Sequence, residues 1–414
     1  MLPKRPTVVL LTSLVVAVAA TGVAAQMGSA AWAKRHKLAP PKPAQVAPPM
    51  PGFGAPLAGL TASDLADFNE GLDEFQAVET PEGGLGPIFN DSSCVACHSA
   101  GAIGGSSERT VTRFGRSVNG VFSALDHLGG SLLQAKAIDP AVQEHIPLEA
   151  NVIALRLSTP LFGAGLIEAI PDAEIELGAA RRQPDGVQGR VSRALDVASN
   201  KLRVGRFGWK AQQATLLAFA GDAYLNEMGV TSRLFPTENA PNGRTNLLAL
   251  YDKVPDVEDS INPLTGKSDI DHAADFMRLL APPPRLRTTA ATLAGERLFA
   301  QANCTACHVP VMFTGASKTP ALSHQTVALF SDLLLHDMGR LGDGIEQASA
   351  NAREMRTAPL WGLRVRPKFL HDGRASTVTQ AIQQHDGEAA RSRQRFEAMN
   401  PAEKQQLLAF LMSI

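Results

Sequence analysis

The sequence predicts a mainly α-helical protein of two modules, the first interrupted by a long, irregular insertion. Three observations carry that expectation. Apolar residues recur at helical spacing upstream of two closely similar Cys-x-x-Cys-His stretches. The C-terminal segment carries a helix-start signature. Tyr and Trp number only 2 and 3 in 414 residues, and no regular strand spacing appears.

Residues 1–25 read as an export signal. Lys4 and Arg5 supply positive charge, Thr7 to Gly22 is apolar and uncharged, and Val23-Ala24-Ala25 offers small residues for cleavage. A membrane-spanning helix needs about 20 apolar residues, so cleavage and no membrane span in the mature chain are expected. Residues 26–58 are rich in Pro and Ala and read as an extended leader. The break at Ala281-Pro282-Pro283-Pro284 then divides 59–284 from 285–414.

In the first module Leu65, Phe68, Leu72 and Phe75 fall on one helix face. Gly178 to Asn200 reads as helices around a Pro184–Gly186 turn, and Trp209 to Leu225 as a further helix. Residues 229–269 read as turns, with a few short strands at most. In the second module Leu293, Leu298 and Phe299 lie on a short helix that runs into Cys304. Asn400, Pro401 and Glu403 form a capping-box start, and Leu407, Leu408, Phe410 and Leu411 supply the buried face of a closing helix.

Cys94-Val95-Ala96-Cys97-His98 and Cys304-Thr305-Ala306-Cys307-His308 use all 4 cysteines of the chain. Cys-x-x-Cys-His is the attachment signature of c-type haem. The two thiols bond the haem vinyl groups, and the adjacent His reaches the iron. His98 and His308 are therefore the expected proximal ligands, and the fold expectation becomes two cytochrome c-like haem domains. A pair of redox dithiols and one shared zinc site are the alternatives. The near balance of 39 Lys+Arg against 40 Asp+Glu excludes a nucleic-acid footprint.

Several stretches make the chain similar to the bacterial di-haem oxidoreductase family, peroxidase-like proteins sometimes called thiol oxidoreductases. They include Gly86-Pro87-Ile88-Phe89-Asn90, Glu168-Ala169-Ile170-Pro171, Gly205-Arg206-Phe207-Gly208-Trp209-Lys210, Leu335-His336-Asp337-Met338-Gly339, Ala358-Pro359-Leu360-Trp361-Gly362 and Leu370-His371-Asp372-Gly373-Arg374. More distantly, the motif order resembles di-haem cytochrome c peroxidases. With no cysteine left over, the thiol label finds no support in the sequence.

The resemblance implies a division of labour: one haem transfers electrons, the other reacts with peroxide. It implies a periplasmic oxidoreductase partnered by a small, cytochrome c-like redox protein. An electron-transfer cytochrome without peroxidase activity is the alternative. The resemblance also allows a calcium ion, between the haems. It makes His385 the distal ligand of the second haem, where relatives usually place Met, with Met338 and His336 as runners-up. His371 would hydrogen-bond near that haem, and Arg374 would meet a propionate. Phe114 stands where classical peroxidases place the first haem's distal His, which implies an open iron beneath an apolar residue such as Phe114 or Phe162. His127 and His145 are weaker ligand candidates. Glu168 is the expected proton-transfer group, Arg156 a propionate or peroxide contact, and Trp209, ahead of Trp361, the electron relay.

Overall fold

The computed structural model describes residues 52–414, so the expected export signal and most of the expected leader lie outside the described residues. The end of the leader is part of the body: Phe53 and Leu57 are buried, and Leu57 N–H donates to the Leu279 carbonyl.

Helix α1 (Ala62–Gln76) starts at a reciprocal cap between Thr61 and Asp64. It buries Phe68, Gly71 and Phe75, while Leu65, expected on that face, points outward. The face meets the later helix Asp269–Leu279, where Phe276 packs 4.7 Å from Phe75 and 5.5 Å from Phe68, centroid to centroid. A Cβ on Gly71 would overlap the His272 backbone. Glycine sits there because the two helices cross almost backbone to backbone.

The chain is of mixed class, about 36% helix and 16% strand, rather than mainly α. Strand β1 (Thr110–Val118) pairs antiparallel with β2 (Val121–Ser123), β3 (Leu132–Leu133) and β4 (Val152–Leu157), with Thr110 opposite Leu157. A hairpin of β5 (Ser192–Asp196) and β6 (Lys201–Gly205) occupies the stretch read as helix. The reason lies in an inverted pattern. β5 buries Ser192, Ala194 and Asp196 and turns Leu195 to solvent, so hydrophobic alternation gives no strand signal. Of the helices expected across 178–200, only the end of Asp172–Ala180 is present. Residues 229–269 are turns, as expected, with the short helix Leu248–Tyr251 and no named strand.

Helix α2 (Leu216–Ala223) is capped by Thr215 and passes into a π-helical turn, Tyr224–Met228. It begins seven residues after Trp209, because residues 209–213 are committed to a turn closed by bonds between Phe207 and Gln213. In the C-terminal part, α3 (Ala290–Gln301) crosses α4 (Pro401–Leu411), and a Cβ on Gly295 would overlap the Gln406 carbonyl. Phe299, Phe330, Phe396 and Phe410 centre the smaller core there. The larger core takes Phe68, Phe162 and Phe276 from the first module and Met312, Leu329, Leu334 and Trp361 from the second. Packing therefore runs straight across the 284/285 boundary.

Candidate active site: two cavities and a shared wall

Each Cys-x-x-Cys-His stretch opens as a 3₁₀ turn on the edge of its own cavity. The cavities enclose about 1360 Å³ beside Cys304 and about 1120 Å³ beside Cys94, counting space open to solvent. One shared zinc site is excluded, since each cysteine pair lines a different cavity. The four thiols are free. Burial pushes Cys97 up to about 11 and Cys304 to about 12, and raises Cys94 and Cys307 as well. Thiolate exchange needs the opposite shift.

In the C-terminal cavity His308 and His385 share the lining. His308 follows the attachment turn, and its Nδ1 lies 3.0 Å from the Phe330 carbonyl. His385 ends the helix Val378–Gln384, and its Nδ1 lies 2.8 Å from the Ala381 carbonyl. An Nδ1–H given to a carbonyl fixes the tautomer that leaves Nε2 bare for a metal. Burial first, then the nearby His385, pushes His308 down to about 4, and burial lowers His385. Both shifts favour the neutral ring that ligation requires.

The runner-up His336 is removed from contention. Its two ring nitrogens face Asp332 at 2.9 Å and Glu388 at 2.8 Å. Burial opposes its charge, but those bonds and Cys307 raise it to about 12. A protonated imidazole has no lone pair for iron. Met338 remains in the lining. His371 is buried there too, lowered to about 4 by burial. Arg374 is a correction: it lies outside the cavity lining, and its half-exposed guanidinium is held by Asp372, Nε to Oδ2 at 2.5 Å.

In the N-terminal cavity His98 is the one histidine among the described lining residues. Its Nδ1 lies 3.2 Å from the Gly105 carbonyl, and burial pushes the ring down to about 4. His127 and His145 are exposed and line neither cavity. Strand alternation turns Val111 and Arg113 of β1 into the cavity and Phe114 away from it, so Phe114 does not roof the site. Phe162 also lies elsewhere.

Glu168 is the main correction. It lies outside this lining, its Oε2 accepts from Arg278 Nε at 2.7 Å, and its Oε1 caps the Leu216 N–H at 2.7 Å. A carboxylate committed to an Arg and a helix start is structural. Three carboxyls do reach the cavity: Asp91, which is paired with Arg109 and Lys136, and Asp222 and Glu227. Burial first pushes Asp222 and Glu227 up, against the lowering pull of Arg113. Glu227 also accepts from Asn90 Nδ2 at 2.7 Å. Asp222 and Glu227 flank the junction of α2 with the π-helical turn, a distortion frequent at functional sites. The helix expected over Trp209 to Leu225 stops short of Glu227, and helical spacing marks neither carboxyl. Met228 and Met277 complete the sulfur in the lining.

Trp209 lines both cavities. Its Nε1 donates to the Leu157 carbonyl at 2.7 Å, and its ring stands edge-on to His371 at 6.2 Å. Trp361 is buried in the larger core and lines neither. Arg156 lies in the N-terminal lining, buried and paired to Asp343 at 2.7 Å, with burial pushing it down to about 10.

The cavities also hold guanidinium groups short of anions. Arg356 and Arg366 line the C-terminal cavity and donate to carbonyls only: Gly208, Thr357, Pro359 and Trp361. Burial pushes both down to about 10. Arg366 Nε and, in the other cavity, Arg113 Nε are buried without a partner. Uncompensated buried cations are costly. The propionates of a haem would supply the missing charge, so the residues fit the group their motifs imply.

A protein-family model described as "Di-haem oxidoreductase, putative peroxidase" matches residues 139–414. No curated protein matches the sequence. Among solved structures the chain is similar to the hydrazine synthase of Kuenenia stuttgartiensis, at 13% identity, over 99% of this chain and 100% of that chain, with a TM-score of 0.40. A MauG-like protein associated with microbial copper homeostasis matches at 15% identity over 65% and 92%, TM-score 0.32. The diheme peroxidase BthA of Burkholderia thailandensis matches at 16% over 74% and 92%, also 0.32. At these scores the likeness carries no functional weight.

Proposed function

This chain belongs to the di-haem oxidoreductase family and is an oxidoreductase, and on that premise we propose that it reduces hydrogen peroxide, or uses it to oxidise a substrate, in the periplasm. Residues 59–284 and 285–414 are two cytochrome c-like haem modules sharing one core, the first with a long insertion. Cys94, Cys97 and His98 hold one haem covalently, and Cys304, Cys307 and His308 the other. His98 would hold the haem that supplies peroxide chemistry, and His308 with His385 would hold the one that supplies electrons at low potential.

The chain's own groups do the rest. Glu227, with Asp222 beside it, takes a proton from the incoming peroxide and returns one to the departing oxygen; a carboxyl raised by burial suits both steps. Arg113 and Arg156 hold propionates or orient the peroxide. Two electrons and two protons convert each peroxide into two waters. The electrons come from a small redox protein, enter at the His308 module and pass the wall. The export signal of residues 1–25 supports the location, and no helix among the described residues is long and apolar enough to cross a membrane.

The observation that carries this reading is Trp209, whose indole forms part of both cavities. The test is Trp209→Phe, on protein whose intact mass includes two haems. Stopped-flow mixing of the half-reduced protein with peroxide should show the His98 haem oxidised at the wild-type rate, and electron delivery from the other haem slowed at least ten-fold. Unchanged delivery would remove Trp209 from the path.

Met228 and Met277 in the same lining favour a second reading. Either thioether, holding the iron together with His98, would leave no position for peroxide and would make the chain a transfer cytochrome. A low-spin ferrous His98 haem that binds neither peroxide nor cyanide would decide for it.

A further inference from the structure

Away from both cavities, Glu238, Asp252, Asp256 and Glu258 each bring a carboxylate oxygen to within 4.8 Å of the others. Four acidic side chains converging in this way repel one another, and Lys253 acts on Asp252 at the rim of the group. A second observation separates this group from an ordinary acidic surface. Glu238 is only 6% exposed. Its Oε1 accepts from the Asn239 N–H at 2.8 Å, while Oε2 is buried with no hydrogen-bond partner. A buried carboxylate oxygen left bare is costly, and here it belongs to a carboxylate aimed at three more. Burial first, then Glu258, Asp252 and Asp256, push Glu238 up to about 9.

We propose that Glu238, Asp252, Asp256 and Glu258 bind one calcium ion, at a site separate from both haem cavities and from the wall between them. The ligand set is all oxygen, which selects a hard cation over zinc or copper. Four carboxylates plus water reach the six to eight ligands calcium takes, without the strict octahedron magnesium demands. The site is open on one side, because Asp256 is exposed and Asp252 half-buried while Glu238 and Glu258 are buried. Glu258 is held in place by the Thr231 N–H at 2.6 Å and by the Thr231 hydroxyl.

The placement assigns a purpose. The ligands come from residues 238–258, within a stretch of turns with little regular structure to hold it. Glu258 also packs on Gly84, whose φ of 109° and lack of a Cβ make room for it. Gly84 leads into the loop that carries Cys94. A bound ion would fasten the turn-rich stretch and, through Glu258, the approach to the first haem motif.

The experiment uses the full holoprotein, passed over a chelating resin and titrated with calcium chloride by calorimetry and thermal melting. One equivalent per chain and a rise in the melting temperature are expected. Glu238→Gln and Asp256→Asn should each weaken calcium affinity at least ten-fold, with both haems still attached. Asp256 is on the exposed rim, so its variant decides the matter if Glu238→Gln fails to fold. No saturable binding to the wild type overturns the proposal. Binding that neither variant weakens also overturns it, because the ion is then held elsewhere.

Discussion

Glu168 and Glu227 are both carboxylates beside apolar neighbours, and only their partners tell them apart. Glu168 is committed to Arg278 and the Leu216 N–H. Glu227 faces the His98 cavity with its pKa raised by burial. Glu227→Gln should therefore slow peroxide-driven haem oxidation by about 10²–10⁴-fold. Glu168→Gln should leave that rate alone and cost about 1 kcal/mol of stability through the lost ion pair with Arg278. Rapid-mixing spectra and chemical denaturation of the two variants separate the roles. His336 gives a pH test. Its folded pKa stands at about 12 against an ordinary 6.5. A group raised in this way stabilises fully below 6.5 and loses that contribution as pH climbs toward 12. The melting temperature should fall from pH 7 to pH 10, and His336→Gln should flatten the fall. That the four cysteines, His98 and His308 line two cavities was legible in the spacing of their motifs. Arg356 and Arg366 were not, since an arginine short of an anion looks in sequence like any other; Arg374, beside His371, drew attention only through its neighbours.

At the scale of elements, amphipathic helices with caps were readable. Thr61 with Asp64 and Asn400 with Glu403 both mark real starts. The small sheets were hidden for a physical reason: β5 buries serine, alanine and aspartate, so its buried face carries no hydrophobic signal. The helix expected from Trp209 fails in part because a turn closed at Gln213 comes first and Thr215 sets the cap. Close helix crossing is a property of single glycines, and it can be measured. Gly295→Ala places a methyl against the Gln406 carbonyl. Overpacking of this kind costs roughly 1–3 kcal/mol. The denaturation midpoint should drop, with little change in the spectra of a haem on His98, whose cavity is lined by other elements.

At the scale of the molecule, the Pro-rich break at 281–284 suggested two separable modules. Composition marks a change of chain character there, but the larger core draws Met312, Leu329, Leu334 and Trp361 to the same side as Phe276. The break is a bend within one body. That shared core bears on how electrons move, because among the described residues packed side chains of both modules join the regions around the two cavities. The gap that Trp209 bridges is set by packed side chains rather than by encounter. Electron passage between the haems should then be ungated: its rate should stay level when glycerol thickens the solvent several-fold, while delivery from the external redox protein slows in proportion. A matching slowdown of both steps in stopped-flow traces would mean that the two halves do move apart.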